Sequence, residues 1–213
     1  ARNAGDEDER AEMLDRIEQD AIQLDSMLER ILTVARLESG QQQPSFEPIL
    51  LNDVLDEVLH DANFEAAAAG VTISYHCDGT VKVNGDAGLL RSAVENIVRN
   101  AIFYSGEGGQ IEVKLEKSDG TAVISVRDNG PGVPEKALPL LFKPFYRVDD
   151  SRGTTTGGMG LGLAIVRNAV AAHGGSVAAK NILPHGLEVE LQLPTTPTPA
   201  GRRSSAEVKL AKA

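Results

Sequence analysis

Apolar residues recur at two different spacings along this chain. Leu14, Ile17, Ala21, Leu24, Leu28, Ile31 and Ala35 step by alternating threes and fours, the heptad seam of a helix that packs on other helices. The spacing predicts one long helix over about 8–39, ended by Gly40 and followed by a glutamine-rich linker to Pro44. One helix cannot bury that seam alone. It therefore calls for a coiled-coil or bundle partner, with packing on its own domain as the alternative.

From Ser45 the pattern becomes mixed α/β. Helical periodicity predicts helices over 51–69 (stopped by Gly70), 86–104 and 162–173 (stopped by Gly174-Gly175). Alternation predicts strands over 71–76, 111–115, 122–126, 176–179 and 187–193, the second and third joined by a turn at Asp119-Gly120. After Pro194 the Thr/Pro/Ser-rich stretch has no periodicity and reads as a disordered tail. The expected organisation is a helical region over 1–40, a linker over 41–45, an α/β domain over 46–194 and a tail over 195–213. There are no internal repeats.

Composition narrows the function classes. A chain of 213 residues is long enough for one real core plus an appendage. No apolar run approaches a bilayer span. The lone Cys77 suits a reducing cytosol, and four histidines without cysteine partners argue against structural zinc. The net charge of −10 disfavours nucleic acid as a partner. Residues 1–40 contribute eleven Asp/Glu against five Arg. An anionic ligand would have to be held by local groups rather than by the overall field.

Four short segments supply such groups. In the helix 86–104 the apolar face is Leu89, Leu90, Ala93, Val94, Ile97, Val98, Ala101 and Ile102, while Asn96, Asn100 and Tyr104 form a stripe at i, i+4 and i+8. Asparagine is a mediocre helix former whose amide competes with the backbone. A pair of them suggests capping or solvent exposure on one reading, and a carbonyl oxygen on Mg²⁺ from Asn100 on the other. Asp128-Asn-Gly130-Pro-Gly132 follows a strand and is longer than a tight turn. Its carboxylate suits the N6 amino group of adenine, with Gly130 and Gly132 letting a base lie on the backbone.

Phe142-Lys143-Pro-Phe-Tyr-Arg147 is an aromatic cluster with two cations, of which Arg147 is better placed for a terminal phosphate and the aromatics also suit core packing. Gly158-Met-Gly160-Leu161-Gly162-Leu runs from a polar stretch into a helix start, where unpaired N–H groups and the helix dipole favour phosphate. It is not a Walker A loop, since no Gly-Lys-Ser/Thr follows, and no acidic residue about twenty positions on supports a dinucleotide fold. Residues 148–158 read as a mobile lid over the ligand.

In this order, the segments resemble the N, G1, F and G2 boxes of sensor histidine kinases in the GHKL ATPase superfamily, over about residues 46–194. The helix ending Leu32-Thr-Val-Ala-Arg-Leu-Glu-Ser-Gly40 resembles the second helix of that family's dimerisation and histidine-phosphotransfer hairpin. Glu95-Asn-Ile-Val-Arg-Asn-Ala and Pro144-Phe-Tyr-Arg are similar to the CpxA-like envelope-stress branch. The resemblance implies a Bergerat-type two-layer α/β sandwich, a mixed sheet with three helices, preceded by one long hairpin helix. It implies ATP and Mg²⁺ as cofactors, Asp128 reading adenine, Asn100 holding the metal and Asn96 supporting the phosphates. On the same resemblance, Tyr104, Gly130, Gly132, Lys143, Arg147, Gly158, Gly160, Leu161 and Gly162 would complete the nucleotide site. Glu95 and Asn96 would be polar assistants near the attacking imidazole. The implied partners are a response-regulator receiver domain and a second copy of the chain, in the cytoplasmic part of a bacterial inner-membrane sensor tethered through segments N-terminal to this chain.

Two departures from the family pattern stand out. None of His60, His76, His173 and His185 is followed by the acid and proline of a phosphoacceptor, so these residues alone are expected not to autophosphorylate. Phe103 stands where many members carry a lysine or arginine toward the phosphates, which would weaken binding unless Arg99, Lys143 or Arg147 substitutes. Two other functions remain open: a hydrolysing GHKL ATPase, opposed by Asn96 where those enzymes carry glutamate, and a degenerate nucleotide module that signals without turnover.

Overall fold

The computed structural model describes residues 44–148 and 159–195, together with helical backbone at positions 13, 14, 16–18, 21, 28, 31 and 32. Those positions fall inside the predicted heptad helix, and Leu14, Ile17, Leu28 and Ile31 of the seam are exposed there. The rest of that helix, the linker at 41–43, lid residues 149–158 and the tail from 196 lie outside the described residues.

Strand β1 (Glu47–Leu50) leads into helix α1 (Leu51–Ala68), then β2 (Thr72–Cys77), β3 (Lys82–Gly85) and α2 (Ala87–Ser105). Strands β4 (Gln110–Ser118) and β5 (Thr121–Asp128) form a hairpin, a 3₁₀ turn covers Glu135–Leu140, and α3 (Gly162–Ala172), β6 (Ser176–Asn181) and β7 (Leu187–Pro194) complete the domain. The main sheet has the order β2-β4-β5-β7-β6, with β2 parallel to β4 and all other pairs antiparallel. A second sheet pairs β1 with β3 antiparallel.

The three helices pack on one face of the five-stranded sheet, α2 lying between α1 and α3. The α2 residues buried are the eight that the periodicity assigns to its apolar face. They meet Leu51, Leu55, Val58 and Leu59 of α1, alternate residues Ile111, Val113, Leu115, Ile124 and Val126 of the hairpin, and Val166, Ala169 and Val170 of α3 in one continuous core. Each large aliphatic side chain removed from water there contributes about 1.5–3 kcal/mol. The alternate strand residues Ser74, His76, Ala178 and Lys180 face water, so the sheet has one dry face and one wet face.

Strands β1 and β3 are additions to the sequence expectation. Each has four residues, and β1 is at most half-buried, so neither offers enough alternation to be read. Their pairing places Leu50 opposite Lys82, and the Leu51 N–H and Asn52 Oδ1 then bond to Val81, fixing the start of α1.

Candidate functional site: an open cleft between α2, α3 and the ends of β5 and β7

Asp128 closes strand β5 and is one of only two buried polar or charged residues among the described ones, at 8 % exposure. Its Oδ1 accepts from the backbone N–H of Gly130 (2.8 Å) and of Leu187 on β7 (3.1 Å). No described residue bonds Oδ2. Burial pushes the carboxyl above its usual range, opposed by the two N–H donors. A buried carboxylate with one oxygen saturated by the scaffold and the other left open is poised to accept from a ligand amine.

The loop beyond it is fixed from the far side of the sheet. Asn181, ending β6, accepts from Val133 N–H (2.9 Å) and donates to Val133 O (2.7 Å) and Glu135 Oε1 (3.0 Å). The His185 ring nitrogen Nδ1 bonds Asn129 O at 2.8 Å. Gly130 packs so closely that a Cβ there would sit 2.6 Å from Tyr104 O, which joins this loop to the end of α2.

On α2, Asn96 donates from Nδ2 to Ser92 O (2.8 Å), the back-bond of a polar residue inside a helix. That leaves Oδ1 directed toward α3, where a Cβ on Gly162 would lie 2.8 Å away. The side chain of Asn100, half-buried one turn on, has no hydrogen-bond partner among the described residues. Tyr104 is exposed, its ring edge-on to Phe103 with centroids 5.0 Å apart.

The start of α3 faces the same space. Leu161 precedes it without a side-chain cap, and the first intrahelical bond is Ile165 N–H to Leu161 O. Among the described residues nothing bonds the leading N–H groups of α3, which lie at the positive end of a helix dipole. Leu161 itself is buried with Ile165 beneath this turn, packed by Met159. The aromatic segment is tied in through Phe145 N–H to Gly160 O (2.9 Å), and Phe145 holds φ +64°, uncommon for a bulky residue.

These elements enclose a cleft of about 390 Å³, the size of a small-ligand site. Of the residues singled out from sequence, Asn96, Asn100, Tyr104, Asp128, Gly132, Arg147, Gly160 and Gly162 line it. Gly130 is buried behind Asp128, Leu161 lies under the α3 turn, and Lys143 is exposed away from the lining. Glu95 is also outside the lining; its Oε1 accepts from Arg91 Nε at 3.1 Å. Gly158 lies outside the described residues. The cleft adds Leu187 and Val189 of β7, Leu141, Met159 and Leu163 as apolar wall, and Glu65 with Arg99 at its α1 side. Arg99 is one of the cations the sequence offers in place of a basic residue at Phe103; no local sequence signal marks the others, because they reach the site through sheet order and helix packing.

Comparison with known proteins agrees with this geometry. Residues 85–197 match the family of histidine kinase-, DNA gyrase B-, and HSP90-like ATPases. Over 182 residues the chain is 40% identical to the sensor histidine kinase CpxA of Escherichia coli K12, covering 85% of this chain and 39% of that protein. The mycobacterial sensor histidine kinase MprB superposes with a TM-score of 0.64 at 30% identity, over 71% of this chain and 100% of that structure. Full-length ShkA in complex with AMPPNP gives 0.71 at 30% identity, over 81% of this chain and 36% of that one. The chain thus belongs to the histidine kinase-, DNA gyrase B- and HSP90-like ATPase family, and its α/β unit is an ATP-binding catalytic domain of the kind sensor histidine kinases use in two-component systems. It spans about two fifths of the length of the curated relatives it matches.

Proposed function

We propose that this domain binds ATP with Mg²⁺ and presents the γ-phosphoryl group to a histidine of a dimerisation hairpin, from which it passes to an aspartate of a response-regulator receiver domain. Asp128 carries the reading. A buried carboxylate whose Oδ1 is held by two backbone donors leaves Oδ2 for the adenine N6 amino group, and it opposes the O6 acceptor of guanine. Leu187, Val189, Val133 and Leu141 give the base an apolar slot.

The phosphate chain is read toward the start of α3, whose leading N–H groups have no partner among the described residues, in a cleft that Arg147 and Asn96 also line. Asn100 would supply an amide oxygen to the metal. Among the described residues no three His, Cys, Asp or Glu side chains gather as a metal cluster. A lone amide oxygen fits Mg²⁺, which keeps waters and takes most of its other ligands from phosphate. Bound metal would neutralise charge on the transferring group. The protein's own part is positioning: fixing the base at Asp128 and aiming the chain along α3.

The glutamate expected of an efficient hydrolase is replaced by Asn96, so transfer rather than hydrolysis is the favoured chemistry. The exposed apolar seam of the N-terminal helix suits pairing with a second copy. The domain is read as the cytoplasmic part of a membrane-anchored sensor with no nucleic-acid role; no helix among the described residues is long and apolar enough to cross a membrane.

The test is calorimetric titration with a non-hydrolysable ATP analogue, with and without Mg²⁺. Magnesium-linked binding that Asp128→Asn abolishes and Asn100→Ala uncouples from magnesium is the expected result. No binding to the folded wild-type protein would sink the proposal.

A further inference from the structure

We infer that Arg99 supplies the phosphate-side cation that Phe103 does not, and that Glu65 positions it from the neighbouring helix. The inference rests on the nucleotide reading of the cleft. Phe103 lines the phosphate-side stripe of α2 with an uncharged ring, half-exposed and turned edge-on to Tyr104. Arg99 lies one turn earlier. At about 100° per residue it sits about 40° from Phe103 and about 60° from Asn96 on the helix wheel, and it lines the same cleft.

Its guanidinium is already aimed. Nε donates to Glu65 Oε2 at 3.2 Å, and no described residue occupies the two terminal nitrogens. Those nitrogens form the planar fork that takes two phosphate oxygens together, a stronger contact than a neutral hydrogen bond. With side chains 60 % and 50 % exposed, the Arg99–Glu65 pair adds little stability of its own. Its consequence is orientation. Holding Nε fixes the plane of the fork and spares the ligand the cost of ordering a long, flexible side chain. The pair also neutralises a carboxylate that would otherwise stand in an anion site.

The alternatives fit less well. Lys143 does not line the cleft, and Arg147 lines it from the segment after the aromatic cluster rather than from α2. Arg147 is already part of the proposed phosphate grip, so it leaves the α1 side without a cation.

The experiment compares adenosine with a non-hydrolysable ATP analogue and Mg²⁺, by calorimetry, on the whole chain. Adenosine reports the base slot alone. Arg99→Gln should weaken the analogue about tenfold or more while leaving adenosine unchanged. Adding Phe103→Lys to that variant should restore analogue binding. Glu65→Ala should weaken the analogue by a smaller factor, and Glu65→Gln, which keeps an acceptor for Nε, should not. Analogue binding unaltered by Arg99→Gln, or adenosine falling in parallel, overturns the inference and leaves the nucleotide site standing. Wild-type protein that binds neither ligand overturns both.

Discussion

The two helices that build the cleft begin in opposite ways. At the start of α2, Asp86 Oδ1 caps Leu89 N–H at 3.0 Å, and Asp86 N–H donates to Nε2 of the buried His173 at 2.9 Å. His173 in turn bonds Ala169 O through Nδ1, and Phe46 covers it edge-on. These bonds need the imidazole neutral with the proton on Nδ1. At the start of α3 no described side chain caps the helix, and the Asn96 amide lies against Gly162. One terminus is closed by the protein's own side chains. On the proposed function, the donors of the other are left to a ligand. Who satisfies the first N–H groups thus separates these two helices into scaffold and proposed site.

Breaking that contrast should show first at α3. Gly162→Ala would push a methyl group against Asn96 Oδ1, so nucleotide affinity should fall about tenfold or more, about 1.4 kcal/mol, while the thermal midpoint changes little; titration with the ATP analogue beside a melting curve reads both. Unaltered affinity would mean the open helix start is not where phosphate sits. At α2 the effect should move to stability. Asp86→Ala should cost about 1 kcal/mol in urea unfolding, as lost N-caps do, and leave analogue affinity unchanged.

The smallest expected effect concerns Asp128. Its folded carboxyl titrates above the unfolded one because burial disfavours the charge. The folded state therefore binds more protons, and this group's contribution to stability declines as pH rises from the unfolded carboxylate range through the raised folded value. Asp128→Asn, which keeps an acceptor for Gly130 and Leu187, should flatten that decline and raise the ligand-free melting temperature slightly at neutral pH. A lower melting temperature across the whole pH range would show that the carboxylate is part of the scaffold as well as the site. If the gain appears, a buried charge retained at a cost in stability is best explained by ligand recognition.

Some of this was legible before any coordinates. The threefold-fourfold spacing of α2 named its buried face and so left Asn96, Asn100 and Tyr104 for the other side, which is where the cleft lies. Asp128 was legible as a polar residue at a strand end, but its burial was not, since that depends on Leu187 arriving from 59 positions away. Glu95 shows the limit from the other direction. It adjoins Asn96 in sequence, yet a step of about 100° turns it out of the cleft to Arg91, whose guanidinium also meets Glu57 and Asp61 on α1.

The sequence by itself determined which elements form and which faces they bury, because periodicity and glycine, proline and asparagine placement act over one or two turns of chain. Short strands such as β1 and β3 escaped it, since four residues cannot establish an alternation. Only the tertiary structure decided which oxygen of Asp128 is free, that Asn181 clamps the loop at Val133, and that Glu65 meets Arg99 across 34 residues. The reason is physical. A hydrogen bond is decided within a few tenths of an ångström, and contacts between distant segments are set by sheet order and helix packing, which no local pattern of the chain encodes.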